Sequence, residues 1–296
     1  MGVSIEKTSM NRKINFSFYN NLIGWIAFAI SLTIYLLTLE PTLSFWDCGE
    51  FISCAKNLEI PHAPGAPLFM LLGRLAIILN PSNPAVMANG LSAFASAFTI
   101  LFLFWTISWF GRKIFVSTYE NSNSQKIIIL FASFIGSIAY AVSDSFWFSA
   151  VETEVYALSS LFTAVVFWCI LKWEESYNEN NHSERWLLFI AYLLGLSIGV
   201  HLLNLLAIPA IVMIYFLKRY PFHTKTLLKA LGVSVAILAS ILAVIVPGIP
   251  WYFSKFKLPE QHTYLDRTSI LFRYVCCSGN FGIFAYLPLV LCSEEK

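Results

Sequence analysis

Two carboxylates three residues apart, Asp47 and Glu50, are the first side chains in this 296-residue sequence that could carry chemistry. If the segment around them is helical, both lie on one face, with Cβ atoms about 5–6 Å apart. One carboxylate could then act as a general base while the other orients an acceptor. A structural alternative stays open, because Ser44 and Asp47 also match the capping box that begins a helix.

A proline-rich turn, residues 61–67, follows this pair and contains His62. Its prolines restrict φ, and Pro67 suits the first position of a following helix. The turn could hold His62 over a pocket that faces Asp47. It could equally serve only to lay the next helix on the membrane surface.

A second acidic cluster contains Glu152 and Glu154, with Tyr156 two residues further on. These groups could line the same site as Asp47 if both loops lie on one side of a membrane. The alternative is that the two carboxylates stabilise the N-terminus of the next helix, where negative charge is favourable. The neighbouring Trp147 could belong to an interfacial aromatic belt.

His201 and Asn204 lie at a break in a long apolar run, 186–217. A histidine at such a place could simply satisfy a helix end. The functional alternative is that it donates a hydrogen bond to a phosphate at the membrane surface.

Motifs for nucleotides and metals are missing from the sequence: it has no P-loop, no dinucleotide fingerprint, no H-E-x-x-H and no C-x-x-C pair. A divalent metal held by Asp47, Glu50 and Glu152 has no support from spacing. We therefore predict no metal and no other cofactor. The net charge of only +2 argues against a nucleic-acid partner.

The composition indicates what kind of scaffold must position these residues. Hydrophobic residues make up 57% of the chain and charged residues only 12%, where an average soluble domain has roughly 25%. Such a chain lacks the polar surface of a soluble enzyme. We predict an all-α polytopic membrane protein embedded in the lipid bilayer.

Long apolar runs identify the predicted spans. The run 186–217 would reach about 48 Å, more than the roughly 30 Å of a bilayer core, so we split it at residues 199–204. The prediction is about seven spans, placed at 22–39, 86–110, 127–142, 155–171, 186–217 as two helices, and 230–249. The run 68–79 is short and contains Arg74, which favours a helix on the membrane surface.

Charge decides the predicted orientation. If 68–79 does not cross and the N-terminus is cytoplasmic, Lys and Arg collect inside, and only Lys56 and Arg74 lie outside before residue 251. The outer loops then hold Glu40, Asp47, Glu50, Glu59, Asp144, Glu152 and Glu154. The predicted divisions are a cytoplasmic segment 1–20, a membrane module 21–250 with an external loop 40–85, and an external tail 251–296 of a truncated product.

Four segments in order, 45–51, 62–68, 150–156 and 198–205, resemble the motifs of domain-of-unknown-function family 2723. This bacterial branch is related to the protein O-mannosyltransferases of the transmembrane-protein-260 type. The resemblance implies a glycosyltransferase C-like helical bundle with membrane-surface helices in its first external loop. It also implies a multi-pass protein of the bacterial inner membrane.

Such enzymes move a mannose-like sugar from a polyprenyl-phosphate lipid to Ser or Thr hydroxyls of exported proteins on the non-cytoplasmic face. The resemblance places the general base at Asp47, and we expect an inverting, single-step transfer in which Glu50 orients the acceptor or the sugar. The other expected substrate-binding residues are His62, Arg74 and His201, which would neutralise the leaving phosphate, and Glu152, Glu154, Tyr156 and Asn204.

Two other classes of protein remain open at this level. Intramembrane polar groups and a broken helix could serve a transporter or lipid flippase. A truncated chain could also be a non-catalytic membrane subunit of a secretion or surface system. The polar residues cluster at one predicted surface rather than at the midplane, which favours the transferase.

Overall fold

The computed structural model describes residues 15–62, 64–116, 123–178 and 184–248, and this part of the chain is all-helical. It contains ten α-helices. In chain order they are α1 (Phe16–Leu37), α2 (Cys48–Asn57), α3 (Pro67–Leu79), α4 (Pro84–Val116), α5 (Asn123–Ala141), α6 (Asp144–Val151), α7 (Val155–Asn178), α8 (Glu184–Ile198), α9 (Ala207–Arg219) and α10 (Thr224–Ser240). A 3₁₀ turn, Leu202–Leu206, precedes α9, and a π-helical turn, Ile241–Ile245, extends α10.

Six of the described helices are long and apolar enough to cross a membrane. They confirm the predicted all-α polytopic membrane protein. The fifth predicted span is α8, whose 15 described residues rise about 22 Å, so it is not among these six.

The long apolar run breaks where the sequence predicts it. Helix α8 ends at Ile198, and His201 is the N-cap of the 3₁₀ turn that leads into α9. The carbonyl of Gly199 accepts hydrogen bonds from the backbone N–H groups of Leu68 and Phe69, at 2.8 and 3.4 Å. The break therefore satisfies N–H groups that the first turn of α3 would otherwise leave without partners.

Helix α4 lies at the centre of the bundle and packs against α1, α5 and α7. Its buried positions include small residues such as Ala93, Ser96 and Ala97. A Cβ added to Gly24 of α1 would lie 2.8 Å from the indole nitrogen of Trp105 on α4. Small residues at these contacts let membrane helices approach closely.

Helices α2 and α3, which follow α1 in the chain, pack against each other and against α4. Helix α3 begins at Pro67, as predicted, and its 13 residues do not place it among the helices long enough to span. A Cβ added to Gly73 would lie 3.0 Å from that of Ala55, so the two helices are in close contact. This pair carries the residues predicted to do chemistry.

Charged residues separate to the two ends of the bundle. We call the end that holds Asp47, Glu50, Glu152 and Glu154 the carboxylate end. The basic end holds Arg112, Lys113, Lys172 and Lys218; there Glu174 of α7 pairs with Lys113 and Lys218, at 2.8 and 2.6 Å. The 20 residues from Glu154 to Glu174 place the two ends about 30 Å apart along α7. The predicted tail 251–296 lies outside the described residues.

Candidate active site

Asp47, Glu50 and His62 come together at the start of α2. Glu50 accepts hydrogen bonds from the backbone N–H of His62 at 2.5 Å and from its ring Nδ1 at 3.0 Å. The other ring nitrogen, Nε2, lies 3.9 Å from Oδ2 of Asp47. All three side chains are about half exposed, so a substrate in solution or at a membrane surface can reach them.

Within the cluster, each of His62 and Glu50 favours the charged form of the other. The hydrogen bond to Glu50 raises the pKa of His62 against the opposing effect of partial burial, and the charge of Asp47 adds to the rise. Burial opposes ionisation of Glu50, yet the hydrogen bonds from His62 lower the pKa of Glu50 overall. His62 is therefore held as a cation beside two carboxylates over a wider pH range than a free histidine.

Asp47 occupies the N-cap position of α2, which begins at Cys48, but its side chain makes no cap hydrogen bond in the described part of the chain. The predicted capping box of Ser44 and Asp47 is therefore wrong. The hydroxyl of Ser44 donates instead to Glu152. Trp46, directly before Asp47, has φ 64, a left-handed conformation that is uncommon for a bulky residue. Asp47 thus stays available for chemistry.

Glu152 and Glu154 lie at the junction of α6 and α7, and both are buried. The intervening Thr153 donates to the side-chain oxygen of Asn89 on α4. The amide nitrogen of Asn89 donates to the backbone carbonyl of Glu40 at 2.7 Å. Asn89 therefore ties the first loop to the second acidic cluster. Sequence reasoning missed it, although a lone Asn in an apolar run is an available signal.

Glu154 shares an electrostatic environment with the first cluster. Burial, followed by the charges of Glu152 and Asp47, raises the pKa of Glu154 to about 7, while His62 and a backbone hydrogen bond from Val155 oppose the rise. Burial also raises the pKa of Glu152, which the hydrogen bond from Ser44 partly offsets. Glu154 is thus close enough to Asp47 for the charge of Asp47 to help raise its pKa, and at neutral pH Glu154 is partly protonated.

His201 and Tyr156 form a second group at the carboxylate end, with ring centroids 5.4 Å apart. Nδ1 of His201 accepts a hydrogen bond from the backbone N–H of Leu203 at 3.1 Å, as expected of a helix-end group. Burial lowers the pKa of His201. It is therefore neutral near pH 7, and Nε2–H remains as a hydrogen-bond donor.

Asn204, in the 3₁₀ turn that follows His201, is buried. Its side-chain oxygen accepts hydrogen bonds from Ser159 at 2.7 Å and Thr163 at 2.8 Å. These bonds attach the 3₁₀ turn to α7. Asn204 is thus placed as a structural link between the 3₁₀ turn and α7.

Arg74 lies apart from the carboxylates. Its guanidinium donates to the backbone carbonyl of Lys56, near the C-terminal end of α2. The nine residues from Asp47 to Lys56 correspond to about 13 Å along the helix. The structure therefore does not bring Arg74 to the side chains that it was expected to assist.

Asp47, Glu50 and His62 also form a group that could hold a metal ion, since one ligand atom from each lies within 4.8 Å of the others. The sequence analysis considered Asp47, Glu50 and Glu152 as the ligand set. In the structure Glu152 is hydrogen-bonded to Ser44, and His62 is the third member of the group instead. The cationic form of His62 would compete with an ion for the same two carboxylates.

Comparison with known proteins gives a consistent result. Residues 47–224 match the family described as "Protein O-mannosyl-transferase TMEM260 N-terminal domain". The chain is 27% identical over 248 residues to protein O-mannosyl-transferase TMEM260 of Mus musculus, covering 82% of this chain and 32% of that protein. It is 28% identical over 185 residues to the tmem260 protein of Dictyostelium discoideum, covering 59% and 20%.

The matched region contains all the site residues predicted from the sequence, from Asp47 to Asn204. The chain spans about a third of the mouse relative and a fifth of the Dictyostelium relative. No solved structure is similar to it.

Proposed function

Because the chain belongs to the family of the protein O-mannosyl-transferase TMEM260 N-terminal domain, we propose that it carries the catalytic site of a multi-pass membrane mannosyltransferase. The observation that carries the proposal is the cluster of Asp47, Glu50 and His62 at one end of the bundle, inside the matched region. The donor is a polyprenyl-phosphate-linked sugar, and the acceptor is a Ser or Thr hydroxyl of an exported protein.

Asp47 is the general base of this proposal. Its carboxylate takes the proton from the acceptor hydroxyl as that oxygen attacks the anomeric carbon. The bond between the anomeric carbon and the phosphate oxygen breaks, and polyprenyl phosphate leaves with the electron pair. A single displacement inverts the anomeric configuration. The 52% exposure of the Asp47 side chain supports this role, because an acceptor loop can reach it.

His62 stabilises the leaving phosphate in this scheme. A cation placed where negative charge develops lowers the barrier without reorganisation. Nε2 of His62 lies 3.9 Å from Asp47, so the proposed base and the proposed cation belong to the same site. Glu50 then orients His62 through its two hydrogen bonds, rather than contacting the acceptor. His201 can add a neutral donor to a phosphate oxygen.

We further propose that the carboxylate end faces the non-cytoplasmic side and that the N-terminus is cytoplasmic, in the bacterial inner membrane predicted from the sequence. The gathering of Lys113, Lys172 and Lys218 at the opposite end supports this orientation, since basic residues collect on the cytoplasmic side.

The test is sugar transfer by the purified chain. The donor is synthetic polyprenyl-phosphate mannose, and the acceptor is a Ser/Thr-containing protein domain. We expect mannose on the acceptor, release of polyprenyl phosphate and an inverted anomeric linkage. A chain that moves the labelled lipid between leaflets of a vesicle and transfers no sugar would be a flippase. A chain that does neither, alone or joined to the rest of its protein, would be a structural subunit.

A further inference from the structure

Two adjoining cavities open at the basic end, on either side of Arg112. One, of about 130 Å³, lies between α1, α4 and α7 and is lined by Asn20, Asn21, Ser108 and Lys172 among others. The other, of about 260 Å³, lies between α1, α4 and α5 and is lined by Ser17 and Lys126. Each greatly exceeds the roughly 10–15 Å³ that one water needs.

Arg112 is the residue common to both cavities that can bind an anion. In the described part of the chain its guanidinium lies 5.4 Å from the ring centroid of Phe16 and forms no ion pair with a carboxylate. A cation–π contact of this kind orients the planar group while leaving its N–H donors free.

The nearby carboxylates already have partners. Glu174 is paired with Lys113 and Lys218, and Glu175 accepts from Lys172 at 2.8 Å and from the indole of Trp109 at 2.6 Å. The described cations of this end therefore exceed its carboxylates. This excess positive charge, with hydrogen-bond donors on the cavity walls, favours an anion with several acceptor oxygens.

The surface leading away from the cavities indicates what the anion is attached to. On α1 the side chains of Phe18 and Leu22 are exposed, and on α5 those of Ile128 and Phe131 are exposed. In a membrane protein such apolar side chains face lipid tails. A ligand with a phosphate at one end and acyl chains at the other would contact both the cavities and these helices.

We propose that the basic end binds the phosphate headgroup of an anionic phospholipid at Arg112, between α1 and its neighbours. Basic pockets between membrane helices recognise acidic headgroups in this way. The 23 residues from Asn89 to Arg112 put this site about 35 Å along α4 from the carboxylate end. The inference therefore stands apart from the proposed transfer reaction.

Native mass spectrometry of the purified chain, titrated with phosphatidylglycerol, tests the proposal. We expect saturable binding that phosphatidylcholine at the same concentration does not match. Arg112→Gln should raise the Kd by about tenfold or more, because it removes charge-assisted hydrogen bonds. Arg112→Lys, which keeps the charge and loses the planar fork, should give an intermediate Kd.

Lys225→Gln is the matched control, since Lys225 is an exposed cation at the start of α10 that lines neither cavity. It should bind phosphatidylglycerol as the parent chain does. The proposal would be overturned if Arg112→Gln bound phosphatidylglycerol as tightly as the parent chain does. It would also be overturned if Lys225→Gln lost as much affinity as Arg112→Gln. So would inorganic phosphate that displaces the lipid at matched concentration, since the site would then be one for free anions. The unfolding midpoint without lipid checks that each variant is folded.

Discussion

Asp47 could cap a helix or act as a general base, and the two roles differ in whether its carboxylate must take up a proton. A capping carboxylate needs only to accept a hydrogen bond, whereas a general base must take up a proton. The structure leaves Asp47 without a cap hydrogen bond and half exposed, at the edge of a cluster in which Glu50 and His62 are already engaged with each other. Asp47 therefore has the carboxylate of the group that accepts no hydrogen bond from His62, although the two lie 3.9 Å apart.

Asp47→Asn should abolish transfer while leaving the fold intact. The amide matches the carboxylate in shape but cannot accept the proton, so the rate should fall by about 10²–10⁴-fold. Glu50→Gln should reduce the rate less, because it weakens the orientation of His62 only. The measurements are initial transfer rates and thermal unfolding midpoints. Glu59→Gln, an exposed carboxylate of the same loop, should change neither. Near-normal transfer by Asp47→Asn would exclude it as the base.

Glu154 should make stability depend on pH. Its pKa is raised by burial from 4.5 to about 7 in the folded chain. The stabilising effect of protonation is full below pH 4.5 and is lost as the pH rises through 7. At pH 8 the ionised, buried group costs up to about 3 kcal/mol.

Glu154→Gln should therefore raise the unfolding midpoint at pH 8 and flatten the profile between pH 5 and pH 8. Thermal unfolding in detergent at the two values measures this. Glu59→Gln should leave the profile unchanged. A Glu154→Gln chain that unfolds earlier than the parent at pH 8 would show that the ionised form is stabilising instead.

At the scale of elements, the contact between α3 and the break after α8 connects distant parts of the site. The carbonyl of Gly199 caps the first turn of α3, and this helix holds α2 in place. A Cβ on Gly199 would lie 3.0 Å from that of Leu68 and 3.3 Å from the carbonyl of Leu196. An added methyl would have to push these neighbours away by a few tenths of an ångström, so the break is a packing feature as well as a helix end.

Gly199→Ala should destabilise the chain by about 1–3 kcal/mol, because the added methyl separates α3 from the break. Gly195→Ala is the control, since nothing lies within 4 Å of its added Cβ and it is within α8. That change should be neutral or stabilise by about 0.5–1 kcal/mol, since alanine favours the helix. Thermal unfolding of both variants measures the difference. Equal midpoints would show that the contact is not tight.

On the scale of the whole molecule, the separation of charge gives the bundle a direction. The carboxylate end carries groups that interact with one another, and the basic end joins Glu174 to lysines of α4 and α9. Because basic residues collect on the cytoplasmic side of a membrane, the bundle should insert with its basic end in the cytoplasm.

Cysteine labelling should report that orientation. Ser145→Cys on α6 lies at the carboxylate end, and His223→Cys precedes α10 at the basic end; both positions are exposed. A membrane-impermeant maleimide added to intact cells should label the first variant above the background of the parent chain. It should label the second only after the membrane is opened. The reverse pattern would put the carboxylate end in the cytoplasm.

The sequence by itself determined the features that depend on neighbouring residues. Apolar runs and their breaks predicted the helices, including the split before Asn204 and the start of α3 at Pro67, because span length and proline restrictions are local. The three-residue spacing placed Asp47 and Glu50 on one face for the same reason.

Only the tertiary structure decided which distant groups meet. His62 pairs with Glu50, Ser44 with Glu152, and Asn89 with Thr153, across separations of 12, 108 and 64 residues. Arg74, which sequence reasoning placed with the site, lies near the C-terminal end of α2 because α3 runs in the same direction as α2, with Phe69 against Phe51 and Gly73 against Ala55. Such contacts depend on how helices pack against each other, and a periodic pattern along one helix carries no information about that packing.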